Sequence, residues 1–340
     1  MKSSYLMKLR NNTQNLTLRL YKMDKKYKLT SSIIENGRDF GLLVDSIFLV
    51  SEFTKQTDII SIGNDWLLDA DMMLYKAFSH GCTIKHLTYG TPIPILTQGL
   101  VDVSSINVLT RALLETTLVF YYLFITSNNS DERQLRYLKW QLSDLLKRQS
   151  MMKDLRYSGD DKEAVRKSDE VNVKIIRDKI KQNKEFKYLT AKQQKYVIEN
   201  FQDWRLPLQD HGYYPSWIKL GRDAGLNNHY SELFYNHISS YAHSGSMSIL
   251  QLRQGNKESI DTSIRTSITA TMVAFAMIIK GFWEIVPMSE QALNDLEMHK
   301  SSVDIWYSIG TKEDQDVTKE SSKTHNLDSR LHGNDSTIKN

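Results

Sequence analysis

One stretch, SSINVLTRALLETTLVFYYLFITS (residues 104–127), most limits the folds open to this chain. Its apolar residues cover most of the circumference of a helix, which is typical of a helix buried in a bundle. Arg111 and Glu115 interrupt the run four residues apart, on one helical face and within reach of each other. Because an unpaired buried ion costs several kcal/mol, both side chains need polar partners. The stretch therefore predicts a core helix that carries one polar site.

Composition favours helices in the rest of the chain as well. Only 15 Gly and 5 Pro occur among 340 residues, too few for the many turns of a β-rich domain. Apolar residues repeat at three- and four-residue steps in residues 33–50 and along ERQLRYLKWQLSDLL, residues 132–146. We predict an all-α fold: a multi-helix bundle with a charged helical insertion and a disordered C-terminal tail.

Changes in composition along the chain predict its organisation. Residues 1–30 are polar and basic, which indicates a loosely ordered extension. Residues 31–300 are assigned to the helical domain, in which residues 131–200 form the charged insertion, with 18 Lys or Arg against 12 Asp or Glu. Mixed charges at helical spacing usually mark a solvated face, and a nucleic-acid groove is the alternative. Few apolar side chains occur from Thr311 onward, and residues 301–340 are assigned to a disordered tail.

The stretch NDWLLDADMMLYKAFSHG, residues 64–81, predicts a further helix near the start of the domain. Asn64 can cap its beginning, because an Asn side chain accepts from the first free backbone N–H groups. Gly81 can end it, since glycine is the usual residue after the last helical turn.

The cysteine content and the N-terminus point to the cytoplasm. Cys82 is the only cysteine, so no internal disulfide can form and a reducing compartment is expected. The basic N-terminal segment lacks the continuous apolar core of a secretion signal. The apolar runs Leu113–Ile125 and Ile268–Ile279 are shorter than the roughly 20 residues of a membrane helix, and we expect no membrane span.

Motifs for cofactors and metals are also lacking. The net charge of +4 is too small to predict nucleic-acid binding by itself. No glycine-rich phosphate loop or dinucleotide fingerprint is present. The stretch HGCTIKH contains His80, Cys82 and His86 but no paired ligand motif, so we predict no metal site and no cofactor.

Residues 230–244 predict a helix with two different faces. Projected at about 100° per residue, one side gathers Tyr230, Phe234, His237 and Ile238. On the other side lies a polar stripe formed by Asn236, Ser239, Ser240 and His243. His237, on the aromatic side, is interpreted as a core histidine with a satisfied hydrogen bond.

The polar stripe is the natural partner for Arg111 and Glu115. One interpretation is a structural polar network that holds the helices in register; the other is a reactive or ligand-binding site. In the second case His243 would be the general acid or base, because histidine titrates nearest to working pH. Arg111 would hold an anionic group such as a phosphate, and Glu115 would orient Arg111 or His243. Hydrogen bonds to the ligand would come from Ser239, Asn236, Ser240 and Tyr235.

Several motifs, taken in order, resemble a known family. They are RALLE with Arg111 and Glu115, WIKLGRDAGL at 217–226, Tyr230 and Tyr235, and SSYAHS at 239–244. Together they are similar to an uncharacterised bacterial all-α family, a domain of unknown function with an R-x-x-x-E helix and a late Y…S-x-x-x-H helix. The similarity spans roughly residues 60–285. The resemblance implies which positions form the motifs of the family, but the family has no established activity, so it implies no reaction.

Two functions from different classes follow. The first is a cytoplasmic helical module that binds a partner or an anionic ligand in the Arg111, Glu115 and His243 pocket. The second rests on a resemblance to the HEPN class of metal-independent ribonucleases of toxin or phage-defence type, in which an Arg and a His act on RNA. The chain departs from that class at Asn236, where the class has an arginine. The partner could be RNA, another protein, or a second copy in a homo-oligomer.

Overall fold

The structure is a computed structural model that describes residues 31–57, 65–90, 101–154, 160–207, 214–242, 246, 249–250 and 257–312. Within these ranges all regular secondary structure is helical, with no strand, which confirms the all-α prediction. The helices are α1 (Ser31–Gln56), α2 (Asp65–Thr88), α3 (Val103–Phe124), α4 (Ser130–Asp154), α5 (Asp160–Gln182), α6 (Lys184–Tyr188), α7 (Ala191–Glu199), α8 (Trp217–Asp223), α9 (Asn228–Ala242), α10 (Lys257–Ile285), a 3-10 helix (Pro287–Leu293) and α11 (Glu297–Thr311).

Helices α3 and α10 form the centre of the bundle, as the apolar stretch predicted. They pack along their length, with α2 on α3, α11 on α10, and α1 against α2, α10 and α11. The two central helices run parallel, because their contacts advance together. Asn107 near the start of α3 contacts Ser263, and Tyr121 near its end donates to the carbonyl oxygen of Met277 at 2.8 Å. Helices α8 and α9 cover a further side of α3.

The charged insertion contains its own small core. Helices α4 to α7 bury a second apolar cluster, formed by Leu135, Leu138, Leu142, Val173, Ile176, Ile180, Phe186 and Val197. The opposite side of α4 joins the main core through Tyr137 and Trp140. The insertion therefore packs on the bundle through α4 and buries a seam between its own helices.

Two basic residues of the insertion point inward, although mixed charge predicted a solvated face. Arg136 donates from Nη1 to the carbonyl oxygen of Tyr122 at 2.8 Å, and its guanidinium lies 4.4 Å from the centre of the Tyr122 ring. Lys139 is fully buried and donates from Nζ to the carbonyl oxygen of Asn200. Burial lowers the pKa of the Lys139 amine to about 8. These two cations anchor α4 to its neighbours.

Gly81 does not end its helix, in contrast to the sequence prediction. Helix α2 continues to Thr88, and a positive φ of 84° is found later, at Gly90. The reason lies in packing: a Cβ at position 81 would overlap the ring of Phe275 on α10. Gly81 therefore allows two helices to approach closely. Asn64, the predicted cap, lies outside the described residues.

The described part of the predicted tail is helical. Residues 301–311 lie in α11, where Val303 and Trp306 are buried three residues apart against the bundle. The indole Nε1 of Trp306 donates to Asp39 of α1 at 3.2 Å. Further contacts hold this segment on the bundle: Ser302 and Gly310 are also buried, and the backbone N–H of Asn227 donates to the carbonyl oxygen of Gly310 at 2.8 Å. Residues 1–30 and 313–340, predicted as extension and tail, lie outside the described ranges.

Two helices, Val103–Phe124 and Ile260–Ile285, are long and apolar enough to cross a membrane by length and composition. Within the fold, 56% and 78% of their most apolar windows are buried inside the protein. They are weak evidence for membrane spans, because the core helices of a bundle pass the same test.

The contact between Gly81 and Phe275 predicts opposite outcomes for two glycine substitutions. Gly81→Ala should lower the free energy of unfolding by up to about 2 kcal/mol, since overpacking costs about 1–3 kcal/mol and alanine returns about 1 kcal/mol of helix propensity. Gly37→Ala on α1, where no atom lies within 4 Å of the added Cβ, should leave stability equal or higher. Urea denaturation measures both, and equal effects would contradict the close approach.

Candidate functional site

A row of buried polar side chains joins the two central helices. At its first step, Asn107 of α3 is fully buried and donates from Nδ2 to the carbonyl oxygen of Val103 at 2.8 Å and to Ser263 Oγ at 3.3 Å. Ser267 donates from Oγ to Asn107 Oδ1 at 2.9 Å. Both ends of the Asn107 amide are thus paired, as a buried polar group requires.

The row continues along the helices at steps of three to seven residues. The hydroxyls of Thr110 and Thr271 lie 3.2 Å apart, and Thr117 donates to the carbonyl oxygen of Ala274 at 3.4 Å. Tyr121 completes the row with its bond to Met277, and burial raises its pKa well above the ordinary value. A shift of α10 along α3 would break these bonds together, so the row holds the register of the two helices.

His237 of α9 joins the polar row at the Asn107 end, through Ser263. Its Nε2 lies 3.3 Å from Ser263 Oγ, within the same group of side chains as Asn107. The imidazole is half-buried, and burial lowers its pKa from the ordinary value of 6.5, so the neutral form dominates at pH 7. This environment agrees with the interpretation of His237 as a core histidine with a satisfied hydrogen bond.

Arg111 and Glu115 lie on an adjacent face of α3, one turn beyond Asn107. Arg111 Nε donates to Glu115 Oε1 at 2.8 Å. Their side chains are 17% and 30% exposed, so the pair is partly buried and can be reached from solvent. Arg111 takes part in at least one further interaction besides this bond. The guanidinium is therefore held in place at the edge of the core.

The predicted polar stripe of α9 is only partly described. Ser239 is half-buried, and its buried Oγ has no hydrogen-bond partner among the described residues. Ser240 donates from Oγ to the carbonyl oxygen of His237 at 2.7 Å, and Asn236 is exposed. The side chain of Tyr235 and all of His243 lie outside the described residues.

Sequence reasoning missed Asn107, Ser263 and Ser267, three buried polar residues of this region. A signal for them exists: SIRTSITAT places Ser263, Ser267 and Thr271 at four-residue steps on one face of an otherwise apolar helix. Such a polar stripe inside a buried helix indicates a polar neighbour, and Asn107 lies on the face of α3 that meets it.

The partly exposed groups of this region are of both kinds, donors and acceptors. The Arg111 guanidinium donates hydrogen bonds, the Glu115 carboxylate accepts them, and the hydroxyls of Ser239 and Ser240 can do either. In the part of the chain that the structure describes, no three His, Cys, Asp or Glu side chains could hold a metal ion together.

Comparison with known proteins matches the central segment that carries these residues. Residues 93–260 match DUF5677, a family of unknown function. The match confirms the resemblance to an uncharacterised domain-of-unknown-function family, over a shorter range than residues 60–285. The DUF5677 segment spans just under half of the chain and includes α3 to α9 with the start of α10, so Arg111, Glu115 and His237 all lie within it. No curated protein and no solved structure matches the chain.

The amide of Asn107 predicts a large effect from one buried substitution. Asn107→Leu should lower the free energy of unfolding by about 1–3 kcal/mol, because Ser263 and Ser267 lose a partner inside the core. The neighbouring change Val108→Ala, at an exposed position of the same helix, is the control and should cost less than about 0.5 kcal/mol. Urea unfolding curves give both values, and a neutral Asn107→Leu would contradict a role of this amide in stability.

Burial of His237 predicts a dependence of stability on pH. The folded pKa lies below the unfolded value of about 6.5, so the unfolded chain binds the extra proton first. The neutral His237 imidazole contributes fully to stability above pH 6.5, and this contribution is lost as the pH falls towards the folded pKa. We expect His237→Gln to lose less stability than the native chain between pH 7.5 and pH 5.5. Thermal melts test this with His86→Gln, at an exposed site, as the control.

Proposed function

We propose that the surface between α3 and α9 binds an anionic ligand, with Arg111 as its main contact, and that the chain is a binding module. The observation that carries this proposal is the Arg111–Glu115 pair, a positioned guanidinium at the edge of a polar core. The single cysteine is compatible with the cytoplasm as the place where the module works.

The geometry of the pair supports ligand binding over a purely structural role. Arginine before glutamate is the less favourable order within a helix, and such pairs contribute a few tenths of a kcal/mol. Because both side chains are partly exposed, removal of one leaves no fully buried charge. Stability alone therefore gives little reason for this pair. A carboxylate on Nε instead orients the guanidinium, whose planar fork of donors matches the geometry of phosphate oxygens.

A hydroxyl of α9 is a separate candidate for an anion contact. His237 is bonded beside Asn107, and Arg111 lies one turn further along α3. Ser239 follows His237 by two residues, about 200° around the helix, so it lies on the opposite side of α9 from the imidazole. Its buried hydroxyl has no partner in the described part of the chain. A buried hydroxyl without a hydrogen bond destabilises the fold, and a bound anion would accept a hydrogen bond from it.

Cleavage of RNA is the alternative activity of the same surface. It would need a general acid or base next to Arg111, which is the role suggested for His243. The His237 imidazole is bonded to Ser263 Oγ, and the carbonyl oxygen of His237 accepts a hydrogen bond from Ser240 Oγ. The bond to Ser263 favours a structural role for this imidazole. A ribonuclease would cleave single-stranded RNA in the presence of a chelator and lose this activity in His243→Ala at an unchanged melting temperature.

The proposal predicts that binding of phosphate depends on Arg111. We expect inorganic phosphate, and more tightly a 5′-phosphorylated single-stranded RNA, to bind the native chain. Arg111→Gln should weaken both at least about tenfold, or about 1.4 kcal/mol, as expected for loss of a charge-assisted contact. Isothermal titration for phosphate and fluorescence anisotropy for RNA give the affinities.

Two control variants separate the site from general charge and from folding. Arg166→Gln removes one positive charge from the exposed surface of α5, so it should leave both affinities unchanged. Glu115→Gln keeps the shape of the pair, and its melting temperature shows whether the fold persists. Equal binding by the native chain and Arg111→Gln, or no binding of either probe, would contradict the proposed site.

A further inference from the structure

The outer face of α2 is apolar for three successive turns. Leu68, Met72 and Tyr75 are 49%, 44% and 53% exposed and lie at helical steps of four and three residues. The opposite face of the same helix is buried through Ala70, Leu74, Ala77 and Ile84. The inner face packs α2 into the bundle, while the residues of the outer stripe keep close to half of their surface exposed.

Aromatic rings extend this stripe onto α1. The ring centres of Tyr75 and Phe78 lie 6.3 Å apart, and those of Phe78 and Phe48 lie 5.5 Å apart. Phe48 is itself 41% exposed. We call Phe48, Leu68, Met72, Tyr75 and Phe78 the α2 patch. A continuous exposed apolar patch of this kind marks an interaction surface, whereas single exposed apolar residues do not.

We propose that the α2 patch binds the same patch of a second copy of this chain, with the two α2 helices antiparallel about a two-fold axis near Met72. A two-fold interface uses the same surface on both subunits, so every contact occurs twice. Met72 lies at the middle of the exposed stripe. A two-fold axis at this residue buries Leu68 of one copy beside Tyr75 of the other. The patch therefore covers itself without a further partner.

The charges at the edge of the stripe complement each other in this arrangement. Asp65 and Lys76 are both exposed and lie on the same side of α2, eleven residues apart. In an antiparallel pair centred on Met72, position 76 of one helix faces position 68 of the other. Lys76 then lies about 4.5 Å along the axis from Asp65 of the second copy, within reach of its side chain. Symmetry produces this salt bridge twice, whereas a parallel pair would place like charges side by side.

The mass of the full chain in solution tests the proposal. Sedimentation equilibrium should give a dimer whose dissociation constant rises at least tenfold in Met72→Asp. The control Val171→Asp changes an equally apolar, exposed residue on α5 and should leave the constant unchanged. Circular dichroism shows that both variants remain helical. A native chain that is monomeric throughout the concentration range, or a dimer that Met72→Asp leaves intact, would overturn the proposal.

Exchange of the two charges tests the antiparallel arrangement. Asp65→Lys and Lys76→Glu should each weaken the dimer several-fold, because each places like charges together across the interface. The double variant restores opposite charges and should recover most of the native affinity. In a Cys82→Ser background, Met72→Cys should also form a disulfide-linked dimer on mild oxidation, and Val171→Cys should not. Failure of the double variant to recover affinity would exclude this pairing of α2 helices.

Discussion

The row of buried hydrogen bonds between α3 and α10 is the interaction on which the rest of the structure depends. Apolar side chains would allow two such helices to slide or rotate, because hydrophobic contact has little directional preference. The amide of Asn107 and the hydroxyls of Ser263, Ser267 and Thr271 are directional, and all of them are paired in the observed register. The other helices of the bundle then pack on a pair whose relative position is already determined.

The same row explains why a polar site forms at this end of the bundle. His237 joins it through Ser263, which places α9 beside the start of α3. Arg111 and Glu115 follow Asn107 by one and two turns and reach the edge where core and solvent meet. At such an edge the pair stays accessible to solvent while the low dielectric of the core strengthens its contacts, which is the basis of the binding that we propose. Arg111, Glu115 and His237 all lie within the segment that matches DUF5677.

Packing gave several residues roles that their types alone did not suggest. Gly81 resembles a helix terminator, yet it provides the space for Phe275 at a helix crossing. Arg136 and Lys139 belong to a mixed-charge segment, yet both point inward. Arg136 donates to the carbonyl oxygen of Tyr122, and Lys139 donates to that of Asn200. Trp306 lies in a segment predicted as a disordered tail, yet its side chain is buried and its indole donates to Asp39 of α1. In each case the deciding partner is distant in sequence, so no local pattern could reveal it.

The sequence by itself determined the helical class, the central place of residues 104–127 and the pairing of Arg111 with Glu115. All three depend on helical periodicity, a local property that spacing along the chain expresses directly. Only the tertiary structure decided that Asn107 pairs with Ser263 and Ser267, that His237 belongs to their network, and that one face of α2 stays uncovered. These features depend on which helix faces join, and that choice comes from shape and hydrogen-bond complementarity between segments that are 26 to 160 residues apart.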